Sequence, residues 1–200
     1  MAEQKKQSGI KAKTISVVAF IVGFAIVGAV INHFNSTNSS QSPNYLTSST
    51  SIRPYTSTQY GFTINFPGNP TVTDSNVQVQ GVSVPTTNYE RDNNNGNTDF
   101  YVSVDAYPSS FDMSDVKARL EGALNGEIEN TKGAVLDSSS FGTLAGYTSI
   151  TGHSTVNESG QTFDMYDTSL LKGNTLFNIL TVGASQSAFN NFASSFQFTQ

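Results

Sequence analysis

The chain contains one long apolar run, residues 15–31, in which no residue is charged. As a helix it would be about 25 Å long, slightly less than the hydrocarbon thickness of a bilayer, and Thr14 and Asn32 can extend it to both interfaces. The sequence therefore predicts one transmembrane helix over residues 14–32. Any globular domain has to come from the rest of the chain.

The charges beside this run predict its orientation. Residues 1–13 contain lysines on one side of the run, and the positive-inside rule keeps such a segment in the cytoplasm. We therefore expect a single-pass signal anchor in the cell membrane, with the C-terminal part of the chain outside. The alternative is a cleaved signal peptide and a secreted protein, but the best small-residue cleavage sequence, residues 27–29, lies inside the apolar run. The lysines are Lys5, Lys6, Lys11 and Lys13.

A polar segment follows the run. Residues 33–58 consist mainly of Ser, Thr and Asn, with a single charge at Arg53. This composition cannot bury enough apolar surface to offset the entropy lost on ordering, so it predicts a disordered linker with a mean reach of about 30 Å. The globular domain is then expected over residues 59–200.

Charge and composition limit the possible functions. The net charge of the chain is −5, but residues 1–14 carry +3, so the remainder carries −8. Because nucleic-acid binding depends on clustered Lys and Arg that displace counterions, this acidic domain is not expected to bind nucleic acid. The chain contains no Cys, which excludes disulfides, thiolate metal sites, cysteine nucleophiles and a lipoprotein anchor.

Short alternating segments predict a sheet. Tyr60, Phe62, Ile64 and Phe66 alternate with small or polar residues, which is the two-residue period of a half-buried strand, before the turn-forming residues 67–70. The later segments are joined by short links, and short links connect antiparallel neighbours. Further strands are predicted over residues 77–84, 86–91, 100–107, 135–141, 147–153, 162–171 and 176–182.

Two helices are predicted among these strands. Apolar residues recur at every fourth position between Val116 and Ile128, which indicates an amphipathic helix that begins after an N-cap at Asp112 or Ser114. A second helix with a stripe of phenylalanines is predicted over residues 185–195. The pattern indicates an α+β fold in which helices cover an antiparallel sheet.

Both ends of the domain resemble a known family. Residues 60–70, YGFTINFPGNP, are similar to the opening strand of PsbP-like domains, and Phe189, Phe192 and the pair Ser195-Phe196 are similar to their final helix. The resemblance spans roughly residues 60–198. It implies a three-layer α/β/α sandwich with a mostly antiparallel central sheet. It also implies a binding or assembly subunit, as in secreted or membrane-anchored bacterial members, without a shared catalytic centre.

Four tyrosines on predicted strands are the candidate residues for binding a ligand or partner: Tyr89, Tyr101, Tyr107 and Tyr147. Tyrosine provides a large contact area at a small cost in side-chain entropy, so an exposed group of them could form an aromatic contact patch. The competing interpretation is that these residues fill the second face of the sheet beneath a helix.

His153 is the one histidine in the predicted domain, so a Ser-His-Asp relay there would have to use it. Strand parity favours an ordinary solvent-facing position for it, and no G-x-S-x-G motif occurs in the chain. A zinc site needs three or four ligands, and the second histidine, His33, lies in the linker. We therefore predict no catalytic residues, no metal and no cofactor.

The carboxylates do not predict a site either. Residues 92–99 place oxygen ligands around Gly96, but the glycine is out of register for an EF-hand loop, so a polar hairpin loop is predicted. Asp164 and Asp167 are three residues apart in a strand and should face opposite sides of the sheet. Glu127, like its neighbours Glu121 and Glu129, is expected on the solvated face of the first helix.

Together these observations predict a membrane-anchored, extracytoplasmic binding or assembly module of the cell envelope that performs no catalysis. Besides the membrane, the expected partner is another envelope protein or an apolar small molecule held between sheet and helix. The alternative is an envelope hydrolase in which folding brings a Ser and an Asp to His153.

Overall fold

The computed structural model of the protein describes residues 52–92, 98–158 and 160–199. The predicted cytoplasmic tail, the transmembrane helix and most of the predicted linker lie outside these residues, as does the loop of residues 93–97. Within the described part of the chain, no helix is long and apolar enough to cross a membrane.

In these residues the chain forms two sheets and two helices. The three-stranded sheet has the order β1-β2-β10, and the seven-stranded sheet has the order β3-β4-β5-β9-β8-β7-β6. The elements in chain order are β1 (Arg53–Ser57), β2 (Phe62–Phe66), β3 (Thr71–Val79), β4 (Val82–Asp92), β5 (Asp99–Ala106), α1 (Val116–Asn130), β6 (Ala134–Leu144), β7 (Tyr147–Glu158), β8 (Gln161–Lys172), β9 (Thr175–Val182), α2 (Gln186–Ser194) and β10 (Gln197–Phe198).

Every strand pair in the described sheets is antiparallel, as the short links predict. The chain runs through β3, β4 and β5 as neighbours, and α1 then takes it to the far edge of the sheet. Strands β6 to β9 lead back inward until β9 pairs with β5. The predicted α+β class with a mostly antiparallel sheet is confirmed.

Two layers cover the two faces of the seven-stranded sheet. On one side, here named the α1 face, Leu120 and Leu124 of α1 are buried in one apolar cluster with Ile150 of β7. On the other side, the α2 face, Phe192 of α2 and Phe62 of β2 belong to a second apolar cluster. The second outer layer is therefore a helix together with a small sheet, whereas the family resemblance implied helices alone.

The strand predicted over residues 77–84 is two strands in the structure. Gln80 and Gly81 have positive φ angles of 53° and 78°, and this two-residue turn pairs Val79 with Val82. Valines alternate with other residues on both sides of the turn almost without interruption. The apolar pattern therefore looked like one continuous strand, although the chain reverses its direction at the turn.

The domain begins earlier than its composition predicts. Arg53–Ser57, which we assigned to the linker, forms β1 at the edge of the three-stranded sheet. The Ser57 hydroxyl is buried and hydrogen-bonds with the hydroxyl of Tyr89 at 2.8 Å. The ring of Tyr55 packs edge-on against Phe66, with centroids 6.1 Å apart. Contacts with distant residues thus order a segment whose own composition is typical of disorder.

Both helices have side-chain N-caps. In α1 the cap is Asp115, which accepts a hydrogen bond from the Ala118 N–H at 3.1 Å, rather than Asp112 or Ser114. Asp112 instead accepts from the Ser114 N–H at 2.9 Å, within the preceding turn. In α2, Ser185 caps the helix through the Ala188 N–H, where the sequence predicts the helix to begin.

Candidate functional site

The four candidate tyrosines do not form one exposed patch. Tyr101 and Tyr107 are 1% and 5% exposed and belong to the cluster on the α1 face, whereas Tyr89 is 2% exposed and belongs to the cluster on the α2 face. Tyr147 is half-buried and packs edge-on against Phe198, with centroids 5.2 Å apart. Burial raises the pKa of Tyr101 and Tyr107. The buried rings fill the cores beneath the outer layers, which was the competing interpretation.

The structure instead brings charged and aromatic side chains together around His153, on the α2 face. Its Nε2 lies 2.9 Å from the Oδ1 of Asp164, and its Nδ1 lies 3.6 Å from the Oδ2 of Asp137. The imidazole stacks on the ring of Tyr166, with centroids 4.5 Å apart and planes at 15°. Tyr166 stacks in turn on Phe189 of α2 at 5.6 Å. His153 is thus the outer ring of a three-ring stack and lies between two carboxylates.

Strand register explains this group of residues. His153 pairs with Tyr166 across β7 and β8, which puts the two rings side by side on one face. The pairing of β6 with β7 shifts between Leu136 and Ser138, and Asp137 is the extra residue in that irregularity. The alternation of side chains along β7 identified the face on which His153 lies. Its partners depend on how β6, β7 and β8 pair with one another, and the sequence pattern does not report that pairing.

Asp164 and Asp167 lie on opposite faces of β8, as their spacing predicts. Asp164 is exposed beside His153, and Asp167 is 1% exposed on the α1 face. They do not form a dyad.

Residues 92 and 99 also behave as predicted for a hairpin, because Asp92 at the end of β4 pairs directly with Asp99 at the start of β5.

The geometry around His153 does not suit a Ser-His-Asp relay. Such a relay needs one ring nitrogen to accept the proton of a hydroxyl while the other faces a carboxylate. Here both nitrogens face carboxylates, and no hydroxyl of the described residues hydrogen-bonds to the ring. The arrangement can hold a cationic group between Asp137 and Asp164, beside an aromatic surface, but it provides no nitrogen for activating a serine.

Hydroxyl side chains surround His153 on the same face. Ser138 pairs with His153, Ser140 pairs with Thr151, and Thr151 hydrogen-bonds with Thr168 at 2.8 Å. Ser138 and Ser140 are exposed on β6, which is an edge strand of the sheet. We name this surface, formed by Ser138, Ser140, Thr151, His153 and the carboxylates of Asp137 and Asp164, the His153 surface.

A second polar group, which sequence reasoning missed, is buried on the α1 face. Asp105 accepts a hydrogen bond from the Thr86 hydroxyl at 2.5 Å, and the Ser169 hydroxyl donates to Asn178 at 2.7 Å. Glu127, predicted to be solvated, is 1% exposed because it lies on the sheet-facing side of α1. The spacing of Glu127 from Leu120 and Leu124 could have indicated this, since residues three or four apart share a helix face.

Burial raises the pKa values of these carboxyl groups. The pKa of Asp105 rises to about 6, and that of Asp167 to about 7, in both cases mainly by desolvation. Desolvation also raises the pKa of Asp99 to about 7, helped by the nearby charges of Asp92 and Glu90. In the described residues no group of three or more His, Asp or Glu side chains is arranged to hold a metal ion.

No protein-family model matches the sequence, and neither does any curated protein. Among solved structures the chain is similar to the cyanobacterial PsbP (CyanoP) from Synechocystis sp. PCC 6803, with a TM-score of 0.52 and 18% sequence identity. The match covers 80% of this chain and 98% of that chain. The domain therefore has a PsbP-like fold, and the resemblance of its two end motifs is confirmed as a resemblance of fold.

Two weaker likenesses are also found. One is to a protein from Bacteroides thetaiotaomicron, with a TM-score of 0.47, 13% identity, and coverage of 74% of this chain and 49% of that chain. The other is to LpqN, a protein involved in cell envelope biogenesis of Mycobacterium tuberculosis, with a TM-score of 0.41, 13% identity, and coverage of 74% and 90%. The fold assignment does not depend on either of them.

Proposed function

We propose that this chain is a membrane-anchored, extracytoplasmic binding module of the cell envelope and that it contacts a protein partner through the His153 surface. The observation that carries the proposal is the position of His153 between two partly exposed carboxylates, on β7 next to the edge strand β6. This arrangement is suited to contact with a charged partner and unsuited to hydroxyl activation, so it favours binding over the hydrolase alternative.

Membrane anchoring rests on the sequence. The uncharged run of residues 15–31 is long enough to reach nearly across the hydrocarbon core, and the lysines before it favour a cytoplasmic N-terminus. In this arrangement the transmembrane helix keeps the domain at the outer side of the membrane, and residues 33–52 separate the two.

A protein partner fits the structure better than an apolar small molecule. Apolar side chains already fill the spaces between sheet and outer layers, with Leu120 and Leu124 on the α1 face and Phe192 and Phe196 on the α2 face. An apolar ligand in either space would have to displace such side chains, at a cost of several kcal/mol for each large residue. The exposed His153 surface requires no such displacement.

Charge favours one kind of partner. The chain after residue 14 carries a net charge of −8, and the two carboxylates of the His153 surface are 38% and 52% exposed. A partner segment with Lys or Arg side chains would pair with them, and a guanidinium can also stack on the imidazole ring. We therefore propose a basic segment of another envelope protein as the occupant.

Site-specific photo-crosslinking in living cells tests the proposal. A photoreactive phenylalanine derivative is introduced into the full-length chain at Ser140 on the His153 surface, or at Gln78 on the opposite edge strand as a matched exposed control. We expect a discrete adduct from position 140 in the membrane fraction and none from position 78. In addition, the pair of changes Asp137→Asn and Asp164→Asn should reduce the adduct several-fold at equal expression. The absence of an adduct at 140, or the same adducts from both positions, would contradict it.

A further inference from the structure

Three unpartnered oxygens are buried between α1 and the sheet. Glu127 on α1, Asp167 on β8 and Ser154 on β7 are each no more than 1% exposed. The Oε1 of Glu127, the Oδ2 of Asp167 and the Oγ of Ser154 have no hydrogen-bond partner among the described residues. Buried polar atoms are nearly always paired in folded proteins, so such a group needs a physical explanation.

Gly152 brings these residues together. It pairs with Asp167 across β7 and β8, and a Cβ at this position would clash with the Asp167 carboxylate and lie 2.7 Å from the Cδ1 of Leu124. The helix therefore packs directly on the glycine. Glu127 follows Leu124 by one helical turn, and Ser154 follows Gly152 on the same face of β7. Beyond this point β7 contacts the turn after α1, where the Asn157 N–H donates to the Gly133 carbonyl at 2.9 Å.

Among the described residues, no cation balances the two carboxyl groups. The field at Glu127 comes from Asp167, and Asp167 accepts a hydrogen bond from the Gly152 backbone N–H. The β9 strand has no charged residue. On β6, β7 and β8 the other charged side chains described lie on the opposite face. Asp137, His153 and Asp164 form one cluster there, and the Lys172 ammonium lies 4.0 Å from the centroid of the Phe198 ring. Asp99 and Asp105 of β5 share the α1 face but add only negative charge. The other charged groups of α1 and the segment before it are Asp112, Asp115, Lys117, Arg119, Glu121 and Glu129, of which all but the half-buried Arg119 are exposed.

We propose that Glu127 and Asp167 share a proton that holds α1 against the sheet, and that loss of this proton releases α1 and uncovers the apolar surface beneath it. With the proton present, one carboxyl group donates a hydrogen bond to the other. When the proton leaves to solvent, two negative charges face each other in apolar surroundings. One of them must then reach water, and Glu127 can do so only if α1 moves away from the sheet.

Burial of both groups, and the charge of Asp167 beside Glu127, support retention of the proton. Desolvation, followed by the charge of Asp167, raises the pKa of Glu127, and desolvation raises the pKa of Asp167 to about 7. The helix is also a weak element, because Gly122 and Gly126 each cost about 1 kcal/mol relative to alanine. Its release is therefore a local opening that leaves the sheet hydrogen bonds intact. It would expose Ile150, Val156 and Met165, which share the apolar cluster with α1.

Hydrogen exchange measured by mass spectrometry tests the proposal on the full-length chain in detergent micelles, between pH 5 and pH 9. After correction for the intrinsic pH dependence of exchange, we expect protection of the α1 amides to fall about tenfold or more relative to those of β8 and β9. Glu127→Gln should abolish most of that fall, since a carboxamide can donate to Asp167 without titrating. Glu121→Gln, a matched change on the exposed side of α1, should retain it.

Two results would overturn the proposal. One is wild-type protection of α1 that does not change with pH relative to β8 and β9. The other is a folded Glu127→Gln variant with the wild-type pH dependence. If Glu127→Gln does not fold, Asp167→Asn serves as the second variant with the same expectation, and if neither folds, the wild-type profile decides.

Discussion

Buried carboxyl groups are the most consequential single residues of the domain. Asp99, Asp105 and Asp167 have pKa values raised to about 7, 6 and 7 by burial, and Glu127 is raised in the same direction. A raised pKa in the folded state means that the native protein retains a proton which the unfolded chain has already lost. The free energy of unfolding should therefore be highest below about pH 4 and should decrease as the pH rises toward about 7.

Asp105→Asn should remove part of this pH dependence. The Thr86 hydroxyl can still donate to the amide oxygen, but the amide does not ionise. The pKa of Asp105 is about 6 in the folded state and near 4 in the unfolded chain. The wild-type free energy of unfolding should therefore fall by about 3 kcal/mol between pH 4 and pH 7 through this group, and the variant should lack that contribution. Urea denaturation at a series of pH values measures it. Glu121→Gln provides the exposed-carboxyl control, and an unchanged slope in Asp105→Asn would contradict the assignment.

For single residues, the sequence predicted the surroundings of some side chains correctly and those of others wrongly, in each case for an identifiable reason. Parity in a strand separated Asp164 from Asp167 correctly, because side chains alternate strictly between the two faces. Glu127 was wrongly predicted to be solvated, because glutamates on helices are usually exposed and are rarely buried without a cation. Asp137 and His153 were not predicted to be neighbours, since an irregularity in β6 brings them together.

Among the elements, α1 depends on the absence of a side chain at Gly152. A methyl group there would meet both the Asp167 carboxylate and Leu124, so Gly152→Ala should lower the free energy of unfolding by about 2–3 kcal/mol. Gly142 on the neighbouring strand β6 is a matched control, since a Cβ there would lie 3.7 Å from the Ser149 Oγ, an ordinary contact distance. Gly142→Ala should change stability by less than about 0.5 kcal/mol. Equal effects in chemical denaturation would show that Gly152 is not a point of close packing.

The short strand β10 attaches the C-terminus to the core through aromatic side chains. Phe196, immediately before it, is 1% exposed and stacks on Phe62 with centroids 5.3 Å apart. Phe196→Ala should cost about 3–5 kcal/mol, whereas Phe141→Ala, the same change at a ring that is 39% exposed, should cost less than about 1 kcal/mol. Thermal denaturation of the two variants distinguishes a structural C-terminus from a dispensable one.

Elements with a strong internal pattern were predictable, and elements defined by distant contacts were not. The alternation from Phe62 to Phe66 and the phenylalanine stripe of α2 indicated β2 and α2 near their observed positions. The strand β1 was missed because its order comes from Tyr89 and Phe66, which are remote in sequence.

At the scale of the whole molecule, the proposed topology predicts where the chain can be cut. Protease added to spheroplasts should cleave between the membrane and residue 52 and release a soluble fragment that retains the fold. The fragment should be absent when the protease is confined to the cytoplasmic side of inverted vesicles. A domain that remains intact until the cells are lysed would rule out the outward orientation and, with it, the proposed envelope partner.

The fold class and the PsbP-like architecture were predictable because they depend on apolar periodicity, short links and two end motifs. The composition of the second outer layer was not predictable, since β1 and β10 are short strands whose pairing with β2 joins the two ends of the described domain. The His153 surface, the proposed contact with a partner, was not predicted for a similar reason. It consists of hydroxyls, two carboxylates and a histidine that have no distinctive local pattern and become neighbours only through strand register.

The place where the linker joins the domain determines how the domain would respond to mechanical force. If the chain is tethered as proposed while a partner holds the His153 surface, tension from the membrane enters at Arg53 and reaches β1, which within the described part of the chain pairs only with β2. The three-stranded sheet would then yield first, before the seven-stranded sheet. Single-molecule pulling from the N-terminus should therefore show an early, small extension before the main rupture.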